Sequence, residues 1–597
     1  MSRTGLVARH APFLAAMMLG GCHAALVGDT DRDVYRLIDE RQRAALGAAS
    51  DVRIDTETDA NPTSERMYRF NPRPVGNEIP EAFQTPRPVA QPGGSGDRAP
   101  EAPGQPEGAA SEIFPAIFPD EVIDQVQVFG LREALSYAMG HARALQSAKE
   151  DLYLAALDLT LERHLWTPQF VAEAQADVRY ADAGGLRDEE RTFTALSDLS
   201  VSQRLPYGGE VAARVVGTLV RDLNEHVAFG ESGSAILEAD IPLLRGAGRV
   251  AYESRYAAER ELIYAVRTYE RFRRTFLVDV AAEYFNLQRL KAAIANTYKS
   301  YQSRKQAWEK ADFINRMGRS PTIFDAPRAK SSLRESEAAL VSAKEQYQFA
   351  LDRFKIFIGM PVQTRLDVLD QEADEASRSL DRLRPAVSED LALETALKYR
   401  LDLLNRVDAV DDAKRGVVIA RNQILLDLDL TTDWAVNSDP EHLNTADLSV
   451  ERYEWNAGLQ LRLDDRKAER NAYRASFIAL RQAERQHEEF EDTVRSEVRR
   501  AIRVIEQQTS LREIQALNVE ENDFRRAAAQ AQFDLGKSTN QDVVDADNDL
   551  LSARNELANA VAAYRVAILN FRRDTDTLRF SYDGELMTGP NEPPAGD

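Results

Sequence analysis

Apolar residues along this chain follow two different spacings, and the change from one to the other happens twice. Leu237, Ala239 and Ile241 alternate with Glu238 and Asp240; Tyr453, Trp455, Ala457, Leu459, Leu461 and Leu463 alternate with Glu454, Asn456, Gln460, Arg462 and Asp464. A period of two describes a strand with one greasy and one wet face. Directly after the first strand, Leu262, Val266, Tyr269, Phe272, Phe276, Val280, Tyr284, Leu287, Leu290 and Ile294 step by three or four. That spacing averages close to 3.6 and makes one apolar stripe along a helix. No proline falls between Arg249 and Arg319, so the helix is expected to reach roughly 100 Å at 1.5 Å per residue.

The two occurrences are copies. Shifted by 218 positions, 237–320 lands on 455–538 without a net insertion: Leu262, Phe276, Val280, Tyr284 and Leu287 meet Leu480, Val494, Val498, Ile502 and Ile505, while Gly318 and Ser320 meet Gly536 and Ser538. Loops tolerate changes in length, so a register held this long belongs to rigid elements. A helix over 131–166 has its partner opening at Leu393 and ending near Gln423, and strands follow at 172–180 and 426–434. Return helices are expected over 323–358 and 542–573. In the first half only, 199–205 and 211–220 flank Tyr207-Gly208-Gly209, an extra hairpin expected to lengthen an external loop rather than add strands.

These elements divide the chain into 1–22, an export signal; 23–120, a short helix over 31–46 and a Pro/Gly-rich tether; 121–360, the first repeat; 361–390, a linker; 391–573, the second repeat; and 574–597, a polar tail. Strands apolar on one face and charged on the other suit a membrane barrel with lipid outside and water inside. Four strands per chain, or six if the hairpin joins them, are too few to enclose an aqueous lumen, so several chains must share one barrel. Trp166, Tyr180, Trp434, Tyr453 and Trp455 lie on or beside the strands, where an interfacial aromatic girdle is expected. The expected fold class is mainly α with a membrane β-barrel.

Composition narrows the function classes. Charged residues make up 29% of 597 and net charge is −22, which argues against nucleic acid as a partner because phosphate binding needs clustered Lys and Arg. A mean hydropathy of −0.44 fits long helices with exposed faces. The single cysteine leaves no disulfide framework, and none of the seven histidines is paired at i and i+4, so neither metal nor cofactor is expected. Gly246-Ala247-Gly248-Arg249-Val250-Ala251 matches a dinucleotide fingerprint, but about seventy helical residues follow with no returning parallel strand. With neither GxSxG nor a P-loop present, nothing points to an enzyme.

The lone cysteine has a positional meaning. Arg3, Arg9 and His10 precede an apolar run over 11–19, too short to span a bilayer but suited to an export signal. Leu19-Gly20-Gly21-Cys22 then resembles a bacterial lipoprotein cleavage box, which implies that Cys22 becomes the acylated first residue. His23 stands where an aspartate would resemble an inner-membrane retention signal, so the outer membrane is the expected destination.

The repeated order helix, strand, strand, long helix, turn, helix over 131–573 resembles the TolC family of outer-membrane efflux proteins. So do Pro242-Leu243-Leu244-Arg245-Gly246 at the strand-to-helix junction and Leu535-Gly536-Lys537-Ser538 followed by Gln541-Asp542-Val543-Val544-Asp545-Ala546 at a helical turn. Gly318-Arg319-Ser320 with Phe324-Asp325-Ala326 is the weaker counterpart of that turn. The resemblance implies a homotrimer whose strands form a twelve-stranded outer-membrane barrel continuous with a periplasmic α-barrel tunnel. It implies a passive exit duct for efflux or type I secretion, opened when its tip meets a periplasmic adaptor (membrane fusion) protein and an inner-membrane pump. Asp542 and Asp545 would line the closed aperture as two acidic rings. Their spacing alone equally describes two carboxylates on one face of a helix's first turn, where the dipole favours them. Phe533 stands about where the family has a tip tyrosine, leaving Arg319 and Lys537 as ionic ties. Gly318, Ser320, Gly536 and Ser538 would shape the turns an adaptor grips. The alternative is a lipid-anchored trimeric coiled-coil stalk or adhesin, which would keep its heptads continuous; here strands interrupt the helices twice.

Overall fold

Two repeats of one element order run in the same direction through a six-stranded antiparallel sheet and a layer of long helices. The computed structural model describes residues 23–47, 49, 52, 126–182, 189–222, 229–317, 324–370, 380, 387–438, 448–535 and 537–580. Cys22, Gly318, Arg319, Ser320 and Gly536, the tether over 53–125 and the tail beyond Phe580 lie outside them.

In the first repeat, α2 (Leu131–His141) and α3 (Arg143–His164) lead into the sheet; α4 (Glu253–Arg316) leaves it and α5 (Asp325–Ile358) returns. In the second repeat the same places are taken by α6 (Glu389–Tyr399), α7 (Leu401–Gln423), α8 (Lys467–Asp534) and α9 (Asn540–Asp574). The expected single helix before each sheet entry is broken, at Ala142 and at Arg400, each an extended residue between two helices. Neither glycine nor proline marks the breaks. At the first, Gly359 packs so closely that a Cβ on it would stand 2.0 Å from the carbonyl oxygen of His141, and its φ of 82° suits only glycine without strain. The second-repeat partner opens at Glu389, capped by Ser388, one helical turn before the expected Leu393. The apolar residues there recur every turn, so the motif also fits one turn late. Aligned by the breaks, buried Ala134, Ala138 and Leu145 match buried Ala392, Ala396 and Leu403.

The long helices behave as the stripe predicts. At 64 and 68 residues they extend about 96 and 102 Å. The layer has four columns: α3 and α5 share the first, α4 is the second, α7 and α9 share the third and α8 is the fourth. Across them lies a two-stranded parallel pair, β1 (Gln127–Phe129) with β6 (Leu366–Val368). Helix α4 holds both strands: the Tyr284 hydroxyl donates to Phe129 O at 3.2 Å, and Lys291 Nζ donates to Asp367 Oδ2 at 2.8 Å and Val368 O at 2.6 Å.

The sheet orders its strands β2 (Gln169–Asp182), β3 (Glu189–Arg204), β4 (Glu210–Asp222), β5 (Phe229–Pro242), β7 (Asp427–Ser438) and β8 (Leu448–Arg462), every neighbour antiparallel. The extra hairpin is therefore not a longer external loop. Strands β3 and β4 pair with both neighbours over most of their length, and their turn at 205–209 sits at the helix edge of the sheet, where Gly248 N–H donates to Tyr207 O at 2.7 Å. The segments over 183–188, 223–228 and 439–447 are outside the described residues.

Both ends of the chain depart from expectation. Helix α1 (His23–Leu46) starts earlier than Asp31 and buries Val34, Leu37, Ile38 and Ala45 against α3 and α4. Residues 574–580 are no loose polar tail: Thr575, Asp576, Thr577, Leu578 and Phe580 are buried. Asp576 ion-pairs with Arg274 of α4 at 2.7 Å. Polar residues conceal this burial from any count of apolar positions.

Candidate functional site

Three levels of the molecule carry the residues singled out by pattern: the sheet, the strand-to-helix junction and the far helical tip.

The pairing register puts alternate residues of all six strands on one face. Phe170, Ala172, Ala174, Ala176 and Val178 of β2 continue into Phe193, Leu199 and Val201, then Val211, Ala213 and Val215, then Ala235, Leu237 and Ile241, then Leu428, Leu430, Trp434 and Val436, and finally Tyr453, Trp455, Leu459 and Leu461. The opposite face carries Glu173, Asp177, Arg179, Asp198, Glu210, Arg214, Glu238, Asp240, Asp427, Asp433 and Glu454. Phe170, Val178, Trp455 and Leu459 are between 67% and 76% exposed. An apolar surface this continuous left uncovered marks a contact with lipid or protein. Trp434 faces Trp455 across β7 and β8 with Tyr453 nearby, all exposed and in the half of the strands away from the helices. Trp166 does not join them: at the end of α3 it is buried edge-on against Tyr252, 5.0 Å between centroids. Among the described residues no helix is long and apolar enough to cross a membrane.

At the junction the repeats clasp one another. Gly246 N–H donates to Asn422 Oδ1 at 2.7 Å, and Arg245 Nε donates to Gln423 Oε1 at 2.9 Å. From the second repeat, Arg466 Nη1 donates to Ile424 O at 2.7 Å. Gly248, with φ of 80°, and Arg466, with φ of 51°, occupy the same place in the two copies, 218 positions apart. The match to a nucleotide fingerprint is thus a backbone requirement for turning strand into helix.

At the tip, Asp542 and Asp545 are exposed in the first turns of α9, while Val543, Ala546 and Leu550 are buried. Asp542 closes a capping box: its Oδ2 accepts from Thr539 N–H at 2.7 Å and Thr539 Oγ1 at 2.8 Å, and Thr539 accepts from Asp542 N–H. The backbone bond from Thr539, then the hydroxyl, holds this carboxyl below its ordinary range. Asp545 accepts from Gln541 Nε2 at 2.9 Å. Ser538 Oγ donates to Ala529 O at 3.3 Å, and Lys537 N–H donates to Gln532 O at 2.8 Å. The ionic tie found here joins Lys310 of α4 to Asp534 of α8, with the ammonium 5.3 Å from the Phe533 ring. Above it, Asp547 of α9 accepts from Ser300 Oγ at 2.5 Å and lies 3.8 Å from Arg304 Nε. Pattern reading missed Lys310, Asp534, Ser300, Arg304 and Asp547. The available signal was phase: Ser300, Arg304 and Asp547 sit at core positions of their helices, where polar groups need partners.

Against known proteins, residues 392–573 match the family model described as outer membrane efflux protein. The match covers the second repeat. No curated protein matches the chain by sequence. Among solved structures, the Campylobacter jejuni CmeC outer membrane channel aligns with a TM-score of 0.54 at 15% identity, covering 74% of this chain and 85% of that one. The Neisseria gonorrhoeae MtrE channel, solved in its open state, aligns at 0.55 with 14% identity over 74% and 88%. Vibrio cholerae VceC, an outer membrane protein, aligns at 0.52 with 15% identity over 74% and 95%. Identities this low establish a shared fold. An outer-membrane efflux fold makes sense of a sheet with one bare apolar face standing at the end of helices about 100 Å long.

Proposed function

We propose that this chain is one subunit of a passive homotrimeric exit duct, with its sheet in the outer membrane and its helices reaching through the periplasm. The observation that carries the reading is the sheet: six long strands, apolar across one face and charged across the other, open at both β2 and β8. The apolar face is not satisfied in a water-soluble monomer, whereas lipid on that side and a water-filled lumen on the other satisfy both. In this reading a periplasmic adaptor grips the turns at Gly318, Ser320, Gly536 and Ser538, and an inner-membrane pump delivers cargo for efflux or type I secretion. Asp542 and Asp545 contribute two acidic rings at the aperture. Lys310–Asp534 is a tie across the tip, beside the ties proposed for Arg319 and Lys537.

Lipid attachment at Cys22 belongs to the same reading under one condition. Helix α1 runs toward the sheet: Tyr35 lies tilted against Tyr153 with 5.6 Å between centroids, and Arg41 meets Glu259, close to the junction, at 3.4 Å. His23 precedes Arg41 by eighteen residues, about 27 Å of helix. Acyl chains on Cys22 therefore share the sheet's bilayer only if α1 leaves its groove. Metabolic labelling with palmitate of the wild type against Cys22→Ser tests the attachment.

The duct itself is tested by reconstituting the detergent-purified protein into planar bilayers. Stable single-channel conductance is expected. A monomer that stays soluble without detergent and leaves the bilayer silent would falsify the reading.

A further inference from the structure

Both layers of the molecule end in the same two pieces of chain. Strand β2 is one edge of the sheet and continues from α3 in the first helical column; β8 is the other edge and continues into α8 in the fourth. Exposed apolar side chains lie along both outer columns: Leu154, Leu161 and Phe349 on α3 and α5, and Ile514, Leu517 and Phe524 on α8. A surface whose two ends lack neighbours in both layers is completed by a second copy placed head to tail, and a head-to-tail contact closes into a ring when its rotation allows.

The register within one copy restricts how the ring closes. Gln169 of β2 stands opposite Ser202, and the line continues through Ala212, Glu238 and Asp433 to Asn456 of β8. Asn456 lies six residues short of Arg462, the helix-side end of β8. Each strand thus slips by a little over one residue on the one before, and a sixth pairing of the same kind brings the stagger per copy to about seven. Odd values are forbidden because they would set the apolar face of one copy against the charged face of the next. Six or eight remain. With about 3.3 Å per residue and 4.8 Å between strands, these tilt the strands by about 35° and 43°, and both lie in the range of known barrels. Charge separates them. A stagger of six sets Asp177 directly opposite Glu454, two carboxylates; a stagger of eight sets Arg179 opposite Glu454 and Phe170 opposite Leu463. Like charges directly opposed destabilise a strand pair and opposite charges stabilise it.

We infer that β8 of one copy pairs with β2 of the next in the register that sets Glu454 opposite Arg179 and Ala457 opposite Ala176. This inference rests on the trimeric duct proposed above. With six strands per copy, three copies close an eighteen-stranded barrel, not the twelve-stranded one implied by the sequence resemblance. Eighteen strands belong to the porin size class, whose interior is an open aqueous channel.

The register is tested by oxidation of paired cysteines on the lipid-facing side. Alanine occupies all three positions needed, so the substitutions are small. The chain carrying Ala176→Cys with Ala457→Cys is expected to form disulfides between copies and give a covalent ladder ending at three chains, because directly opposed Cβ atoms fall within bridging distance. The chain carrying Ala174→Cys with Ala457→Cys, which probes the stagger of six, is expected to remain uncoupled. Each single variant controls for Cys22. Coupling of the second pair in place of the first overturns the register. Failure of both pairs in a preparation that still conducts overturns the seam and leaves the duct standing. Loss of conductance and of oligomers in the unsubstituted protein removes the duct itself.

Discussion

Helices α4 and α8 are copies along one stripe and differ beside it. Phe276, Val280 and Leu287 of α4 are buried, and at the corresponding places in α8 so are Val494, Val498 and Ile505. On the next flank α4 buries Ile263, Leu277 and Phe285 where α8 carries Arg481, Arg495 and Arg503. Their surroundings account for this. Helix α4 is enclosed by α1, α3, α5 and α9, whereas α8 packs on α6, α7 and α9. Duplication preserved the stripe that each long helix turns to its return helix, while the second flank follows what covers it. In the single chain α4 is finished, and α8 is an edge waiting for its neighbour.

The sharpest way to break this comparison is to neutralise the same position in both helices. Glu270 is buried, and its Oε1 accepts from Arg274 Nε at 2.8 Å and Arg273 Nη2 at 3.1 Å. Burial pushes the Glu270 carboxyl up, but Arg273 and Arg274 outweigh it and hold the group at about 2. Glu270→Gln leaves the buried Arg274 guanidinium with Asp576 and takes from buried Arg273 the carboxylate it meets, and removing one partner of such a cluster costs about 3–5 kcal/mol. At the corresponding place Glu488 is exposed, so Glu488→Gln is expected to stay within about 0.5 kcal/mol. Thermal melts of the two variants measure the difference. The pH dependence has a defined sign: a carboxyl held below its unfolded value of about 4.3 contributes stability that is complete above that pH and drains away as pH falls toward 2. That acid limb should shrink in Glu270→Gln and persist in Glu488→Gln. Equal losses in both variants would mean that α8 is as enclosed as α4 in the isolated chain.

Much of this contrast was legible in the chain, and the exceptions have physical causes. The stripe and its 218-residue repeat could be read because a helix of more than sixty residues cannot lose register without losing its partner. The six-stranded sheet was harder. On β3 and β4 the outward positions include Ser197 and Gly217, and Leu196 and Val216 point to the wet face, so the alternation that is clear on β8 is diluted. The breaks at Ala142 and Arg400 carry no breaker residue, because neighbours packed against them, not local propensity, fix their backbone. The buried turn after α9 is written in Thr and Asp. At the tip, Asp542 was legible as a capping residue and as an aperture residue alike, since both roles call for a carboxylate in the first turn. The structure forms the capping box, and the aperture is the proposed role.

A smaller effect separates the repeats at the junction. Gly248 and Arg466 both take left-handed backbone before their long helices. A Cβ on Gly248 would meet nothing within 4 Å, so Gly248→Ala should cost only the conformational term, about 1–2 kcal/mol. Arg466→Gly removes that same strain but also the bond from Nη1 to Ile424 O and the contact with Asp464 at 3.0 Å. The two changes oppose each other, and the net shift should be under about 1 kcal/mol. A large loss on Arg466→Gly would show that its grip on the end of α7 outweighs the backbone strain.

The smallest effect on stability should accompany a clear effect on transport, and it again sets one repeat against the other. The offset that places Gly318 on Gly536 places Phe324 and Pro327 on Asp542 and Asp545. At these two places the second repeat carries carboxylates and the first does not, its own first-turn carboxylate being Asp325, beside Phe324. Asn can still accept the Thr539 N–H bond through its side-chain oxygen, so Asp542→Asn removes charge while keeping the cap, and Asp545→Asn removes charge from a side chain bonded only to Gln541 nearby. In bilayer recordings, block by multivalent cations added on the helical-tip side should weaken with each substitution and weaken further in the double variant, with melts unchanged. Because Thr539 holds the Asp542 carboxyl below its ordinary range, block in the unsubstituted protein should survive mild acidification that would discharge an ordinary aspartate. The converse variant, Phe324→Asp, adds charge at the matching place in the first repeat and should deepen the block if the two repeats meet around one aperture. Block indifferent to all of these changes would take Asp542 and Asp545 out of the aperture and leave them as the start of a helix.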